Sequence, residues 1–147
     1  MQIDFLNHAS VIISHKDTRL LIDPWFWGTC FDGGWGLRFD NPEAIHKAGN
    51  CTHLWVSHPH QDHLHKPTLQ KILELNPAIQ FIGNNSYNFQ LDKTAQSLGF
   101  KNVTPLYERK TIKLSDDFSI TRFVCTGVFI AKVLCTGMRP CVFYPSI

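Results

Sequence analysis

SHPHQDHLH, Ser57 to His65, places four histidines and one aspartate in nine residues. Neutral imidazole is the commonest protein ligand for divalent transition metals, and a carboxylate adds an anionic oxygen. The stretch follows the apolar run His53-Leu54-Trp55-Val56. A run of that kind reads as a short strand in a covered sheet. Pro67 suits the first turn of a helix, where its missing N–H has no intrahelical partner anyway. Leu69, Ile72 and Leu73 then carry the i, i+3, i+4 spacing of a helix with one buried face, and Asn76-Pro77 stops it. The histidines therefore sit on a loop between strand and helix.

His58 and His60 lie two apart and share a face in extended backbone. Asp62 and His63 follow where the chain turns into the helix. The arrangement suits two neighbouring metal positions, one served by His58 and His60, the other by Asp62 and His63. Paired ions can activate a water between them and present it to an electrophile. The plain alternative is a histidine-rich surface loop. The interleaved aspartate and the strand–loop–helix setting favour ligation. His65 falls outside this pattern and reads as a surface residue at the helix start. His15, His46 and His53 read as isolated structural or exposed residues, and His8 as a partial exception.

Upstream, Phe5 to Ser14 (FLNHASVIIS) and Thr18 to Ile22 (TRLLI) flank a polar break at His15-Lys16-Asp17, which predicts a hairpin. The second run enters Asp23-Pro24 directly. WFWGTCFDGGWGLRF follows, and its glycines and aromatics predict an ordered loop packed over something. Downstream, Ile79–Ile82 predicts a strand. Asp92 is a candidate cap for a short helix, KTAQSL, that Gly99 ends. Val103 to Leu106, Thr111 to Leu114 and Phe118 to Val124 read as three more strands. This alternation predicts an α/β or α+β sandwich.

The 147 residues suit one domain, or part of a larger one. Hydrophobic residues make up 44% and charged residues 18%, which marks a globular chain rather than a disordered one. A formal net charge of +2 points away from nucleic acid and membrane surfaces. The amino terminus lacks a basic start and apolar signal core, so a cytoplasmic protein is expected. Five cysteines without a CxxC argue against a disulfide framework or a zinc ribbon.

His58-Pro59-His60-Gln61-Asp62-His63 resembles the HxHxDH motif of the metallo-β-lactamase fold superfamily. LLIDPW, ending its strand at Asp23, resembles that superfamily's first motif. Leu6-Asn7-His8-Ala9-Ser10, the DPWFWG loop and SHPHQDHLHKPTL look closest to the subset holding ascorbate-6-phosphate lactonase-like and CMP-N-acetylneuraminate hydroxylase-like proteins. The resemblance covers about residues 3 to 124. It implies an αβ/βα sandwich with the site at one edge, between two similar halves. It also implies metal ligation by His58, His60, Asp62 and His63. Asp62 would further orient the attacking water, and Asp23 would support the ligands from behind. The cofactor implied is a divalent metal, zinc first, with manganese or iron as alternatives.

The family completes its motif with a further histidine, a bridging acidic residue and a last histidine from later in the chain. Here no histidine follows His65, and no acidic residue follows Asp117. The expectation is thus the first half of the fold at 1–124, followed by an atypical tail at 125–147. The enzyme reading is a metal-dependent hydrolase of an ester, lactone, amide or phosphoester, a small-molecule substrate that Trp25, Trp27 and Trp35 could flank. The competing reading is an inactive truncated product or a non-enzymatic metal-binding subunit, whose site another copy of the chain would complete. A third reading, part of an oxygenase resembling CMP-N-acetylneuraminate hydroxylase, implies an iron–sulfur module with paired Cys/His ligands; no such pairs occur here, so it would require a further segment upstream.

Overall fold

A computed structural model describes residues 1–125, 128–135 and 141–143. The segment set apart as 125–147 therefore falls partly outside the described residues. The chain begins with β1 (Gln2–Asn7), β2 (Ser10–His15) and β3 (Thr18–Ile22), paired antiparallel in sequence order. FLNHASVIIS is thus two strands rather than one. His8 takes a left-handed φ of 37°, and the β1–β2 register shifts between Phe5 and Asn7, so the chain reverses there.

A small ribbon, β4 (Thr29–Cys30) with β5 (Trp35–Gly36), lies within the aromatic loop. Helix α1 (Ala44–Gly49) then leads into β6 (His53–Val56). No sequence signal announces α1. It is six residues long with no side-chain cap, and buried Ala44, Ile45 and Ala48 hold it in place. Helix α2 (Lys66–Leu75), β7 (Gln80–Asn84), α3 (Leu91–Ser97) and β8 (Val103–Leu106) follow. Asp92 does not cap α3. Gln90 holds the cap position, and Asp92 sits in the first turn, where its charge still complements the helix dipole. Gly99, at φ +102°, ends that helix as expected. A side chain on Gly83 would meet the Leu91 Cβ at 2.9 Å, so glycine lets α3 lie close on β7.

The first sheet has the order β1-β2-β3-β6-β7-β8, and its pairings from β3 onward are parallel. A second sheet comprises β9 (Thr111–Lys113), β10 (Phe118–Cys125), β11 (Val128–Cys135) and β12 (Cys141–Phe143), all antiparallel. Alternating side chains of the first sheet feed two cores. Ile12, Leu21, Leu54, Val56 and Phe81 pack against the helices through Ala48, Leu69, Ile72 and Ala95. Ile13, Leu20, Ile22, Trp55 and Ile82 point the other way, onto Phe118, Ile120 and Val133 of the second sheet. The layers run helix, sheet, sheet, which accords with the α/β sandwich class. Among the described residues, no helix is long and apolar enough to cross a membrane.

The two sheets are also tied at their margin. His15 Nε2 lies 3.3 Å from Asp117 Oδ2, and the Lys16 ammonium pairs with the same carboxylate. The Lys16 hydrogen bond is the main cause that holds Asp117 down at about 2. A carboxyl depressed in the folded state stabilises fully above its unfolded value near 4, and the effect is lost as pH falls toward the folded value. Asp117→Asn is therefore expected to melt below wild type at pH 6, with the gap closing between pH 4 and 2. Thermal melts across that range check it, and a constant gap would contradict the pairing.

Candidate metal centre

β3, β6 and β7 run parallel and end side by side, which places Asp23, Ser57 and Asn84 in one row at their carboxyl ends. Loops at the carboxyl ends of parallel strands are where open α/β sheets build sites. Asp23 is fully buried, with a left-handed φ of 43°. Ser10 clamps that turn. Its hydroxyl donates to the Asp23 carbonyl at 2.8 Å and accepts from the Trp25 N–H at 2.8 Å.

The Asp23 carboxylate organises the candidate metal loop, Ser57 to His65. Oδ1 accepts the Ser57 backbone N–H at 2.8 Å, and Oδ2 accepts the Ser57 hydroxyl at 2.6 Å. Oδ2 also takes the Nδ1–H of His63 at 2.8 Å. A carboxylate without a proton can only accept, so these contacts assign the tautomers. His63 carries its proton on Nδ1 and turns Nε2 outward. The Ser57 hydroxyl spends its proton on Asp23 and so accepts from His58 Nδ1 at 2.9 Å, which turns His58 Nε2 outward too. Asn84 fixes the loop start by donating to the Ser57 carbonyl at 2.7 Å, while its own oxygen accepts the Trp55 indole N–H. Gln61 accepts the Phe31 N–H and joins the metal loop to the aromatic loop.

His58 Nε2 stands 3.1 Å from His60 Nδ1. Two nitrogens bound tetrahedrally to one ion at about 2.1 Å are about 3.4 Å apart, so the pair already has nearly the spacing of a shared ion. The backbone tightens next, with the N–H groups of His63 and Leu64 both reaching the His60 carbonyl. That turn brings Asp62 Oδ2 to 3.3 Å from His63 Nε2. Ring centroids of His58 and His63 lie 4.0 Å apart, so the two ligand pairs are contiguous. His58, His60, Asp62 and His63 are thus all brought together, with Asp23 behind them.

The electrostatics fit a cation. Burial lowers His58, with the His63 charge adding to it, to about 4, so its imidazole is neutral near pH 7. Burial also opposes charging of His63, but the hydrogen bond and charge of Asp23, with the charge of Asp62, outweigh it and raise its pKa. Two carboxylates around one imidazole call for positive charge at Nε2. Asp62 Oδ1 is buried and has no hydrogen-bond partner. An orphaned buried carboxylate oxygen is costly unless a cation or donor meets it. The donor set of imidazoles and one carboxylate suits a divalent ion.

Three positions differ from expectation. His65 is buried, not on the surface. It is the N-cap residue of α2, its Nδ1 is 2.7 Å from the Thr68 hydroxyl, and its ring lies against Trp25. His8 belongs to the centre, with Nε2 3.1 Å from Asp62 Oδ2. The aromatic loop divides, since Trp25 and Trp35 line a recess of about 220 Å³ with His8 and Arg38, whereas Trp27 packs against the helical core. Ser10 and Asn84 carry no metal-ligand signature, and only the assembled fold reveals their roles.

The sequence model described as the beta-lactamase superfamily domain matches residues 2–135. The chain belongs to this superfamily. Cytidine monophosphate-N-acetylneuraminic acid hydroxylase of Danio rerio is 32% identical over 105 residues, which are 69% of this chain and 18% of the fish protein. The matched part of the chain thus spans under a fifth of that relative's length. A possible metal-dependent hydrolase from Veillonella parvula superposes with a TM-score of 0.72 at 14% identity, covering 96% of this chain and 61% of that one. The metallo-beta-lactamase fold protein YhfI from Bacillus subtilis gives 0.58 at 16% identity, covering 90% and 52%. At such identities the two structures speak to the fold, which is the metallo-β-lactamase fold.

Asp23→Ala would leave the Ser57 and His63 donors buried without an acceptor, and His63 without its opposing charge. Loss of one partner from a buried pair costs about 3–5 kcal/mol. Urea unfolding at pH 7 should show a loss in that range, and a loss below about 1 kcal/mol would remove Asp23 from its organising role.

Proposed function

We propose that the chain is a metal-dependent hydrolase in which His58, His60, Asp62 and His63 ligate one or two divalent ions. The approach of His58 to His60 and of His63 to Asp62 Oδ2, beside an Asp62 Oδ1 that is buried without a hydrogen-bond partner, is the observation that carries this reading. An ion held by these residues would supply Lewis acidity for activating a water. The protein's residues supply position. Asp23 and Ser57 fix the tautomers of His63 and His58, and Asp62 orients the attacking water. Zinc suits this donor set first, and manganese and iron also accept imidazole with carboxylate.

The substrate is a small molecule with an ester, lactone, amide or phosphoester bond. The recess beside His8, bounded by Asn7, Trp25, Trp35 and Arg38, supports that size class. Cys30 and Cys51 are buried thiols outside any disulfide, which supports a reducing, cytoplasmic setting. A second reading, a non-hydrolytic metal-binding part of a hydroxylase-type protein, is favoured by the 32% identity to the Danio rerio hydroxylase.

Elemental analysis of the purified chain, with a His58→Ala/His60→Ala control, tests metal binding. One or two equivalents per chain are expected, falling in the control. Equal content in both would end the metal reading. The loaded protein is then offered chromogenic ester, lactone and phosphoester substrates against Asp62→Ala. Turnover at least about 100-fold above that variant supports the hydrolase. Bound metal without turnover supports the second reading.

A further inference from the structure

We propose that His8 is itself a metal ligand, completing with Asp62 and His63 a three-donor site for the second ion. The inference rests on the reading that the metal loop binds divalent ions, and it adds a ligand from outside that loop. One nitrogen of His8, one of His63 and one Asp62 oxygen all lie within 4.8 Å of one another. His8 Nε2 and His63 Nε2 approach the same atom, Asp62 Oδ2, at 3.1 and 3.3 Å. Three protein donors with an open fourth position are what a catalytic divalent site requires.

His8 is also held in place by its turn and its neighbours. It occupies a left-handed φ of 37°, which sets the direction of its side chain. The Asn7 side chain accepts the His8 N–H at 3.0 Å and donates to the Phe39 carbonyl at 2.8 Å. The shifted register between Phe5 and Asn7 re-aims the turn, as bulges beside functional sites do. The ring packs edge-on to Trp25 at 5.3 Å and to His63 at 5.8 Å. Its side chain remains 31% exposed toward the Trp25–Arg38 recess. The open coordination position would therefore face the recess, so a substrate entering there would meet the second ion first.

The test is cobalt(II) titration of the full chain, followed by calorimetry and by the visible d–d absorption of the bound ion. Wild type, His8→Ala, His8→Gln and His58→Ala are compared. Glutamine can keep the hydrogen bond to Asp62 while replacing the imidazole nitrogen. Losing a supporting hydrogen bond costs about 10–100-fold in affinity, so losing a ligand should cost at least about 100-fold. We expect His8→Ala and His8→Gln both to lose one binding event by that factor and to alter the absorption, with the event lost in His58→Ala left intact. Wild-type affinity within about twofold in His8→Gln would make His8 a hydrogen-bonding neighbour and overturn the inference, while the metal reading stands. Failure of wild type itself to bind cobalt would overturn both. Melting temperatures without metal establish that each variant is folded, and the exposure of His8 makes that the expected result.

Discussion

The Asp23 carboxylate is the constraint on which the site depends. It is wholly buried, and it accepts from the backbone and side chain of Ser57 and from His63. A buried anion of this kind is tolerable only when its oxygens are satisfied. Those bonds require β3 and β6 to lie in parallel register, Leu20 beside His53 and Ile22 beside Trp55. The register in turn follows from alternating apolar side chains that must fill two different cores. Slipping β6 by one residue would expose Leu54 to the wrong layer and pull Ser57 off Asp23. Packing and ligand orientation are therefore set by the same strand pairing.

The elements nearest the metal loop were the most legible in sequence, because each carried two concordant signals. The strand at His53–Val56 was apolar and short, and the helix after Pro67 had both a start residue and a one-faced stripe. Helix α1 carried neither, since its six residues owe their conformation to burial rather than propensity. The turn at His8 was hidden inside a run of strand-forming residues, because a left-handed histidine has no compositional mark. His65 misled for a related reason. Polarity suggested solvent, but the Thr68 hydroxyl and the neighbouring Trp25 ring provide a buried niche for an imidazole.

The same limit separates donors from their supports. Four candidate ligands were readable because they cluster within six residues, from His58 to His63. Ser10, Ser57 and Asn84 act through hydrogen bonds to groups distant in sequence, and serine and asparagine are too common for their spacing to announce it. The NHAS stretch bore a family resemblance without a chemical rationale. The fold supplies one, in which asparagine braces the turn, histidine faces Asp62, and serine clamps the chain at Asp23.

The compactness of the metal loop has a thermodynamic consequence. Ligand binding stabilises a fold only to the extent that the unfolded chain binds less well, and metals do bind unfolded histidines. His58, His60, Asp62 and His63 are close enough in sequence to chelate in a denatured chain. His8 and Asp23, 54 and 40 residues from their partners in the loop, are not. For an ion held as proposed, selectivity for the native state would therefore reside in the two remote residues, His8 as a ligand and Asp23 as a support, and the histidine-rich loop that dominates the sequence would contribute least to it.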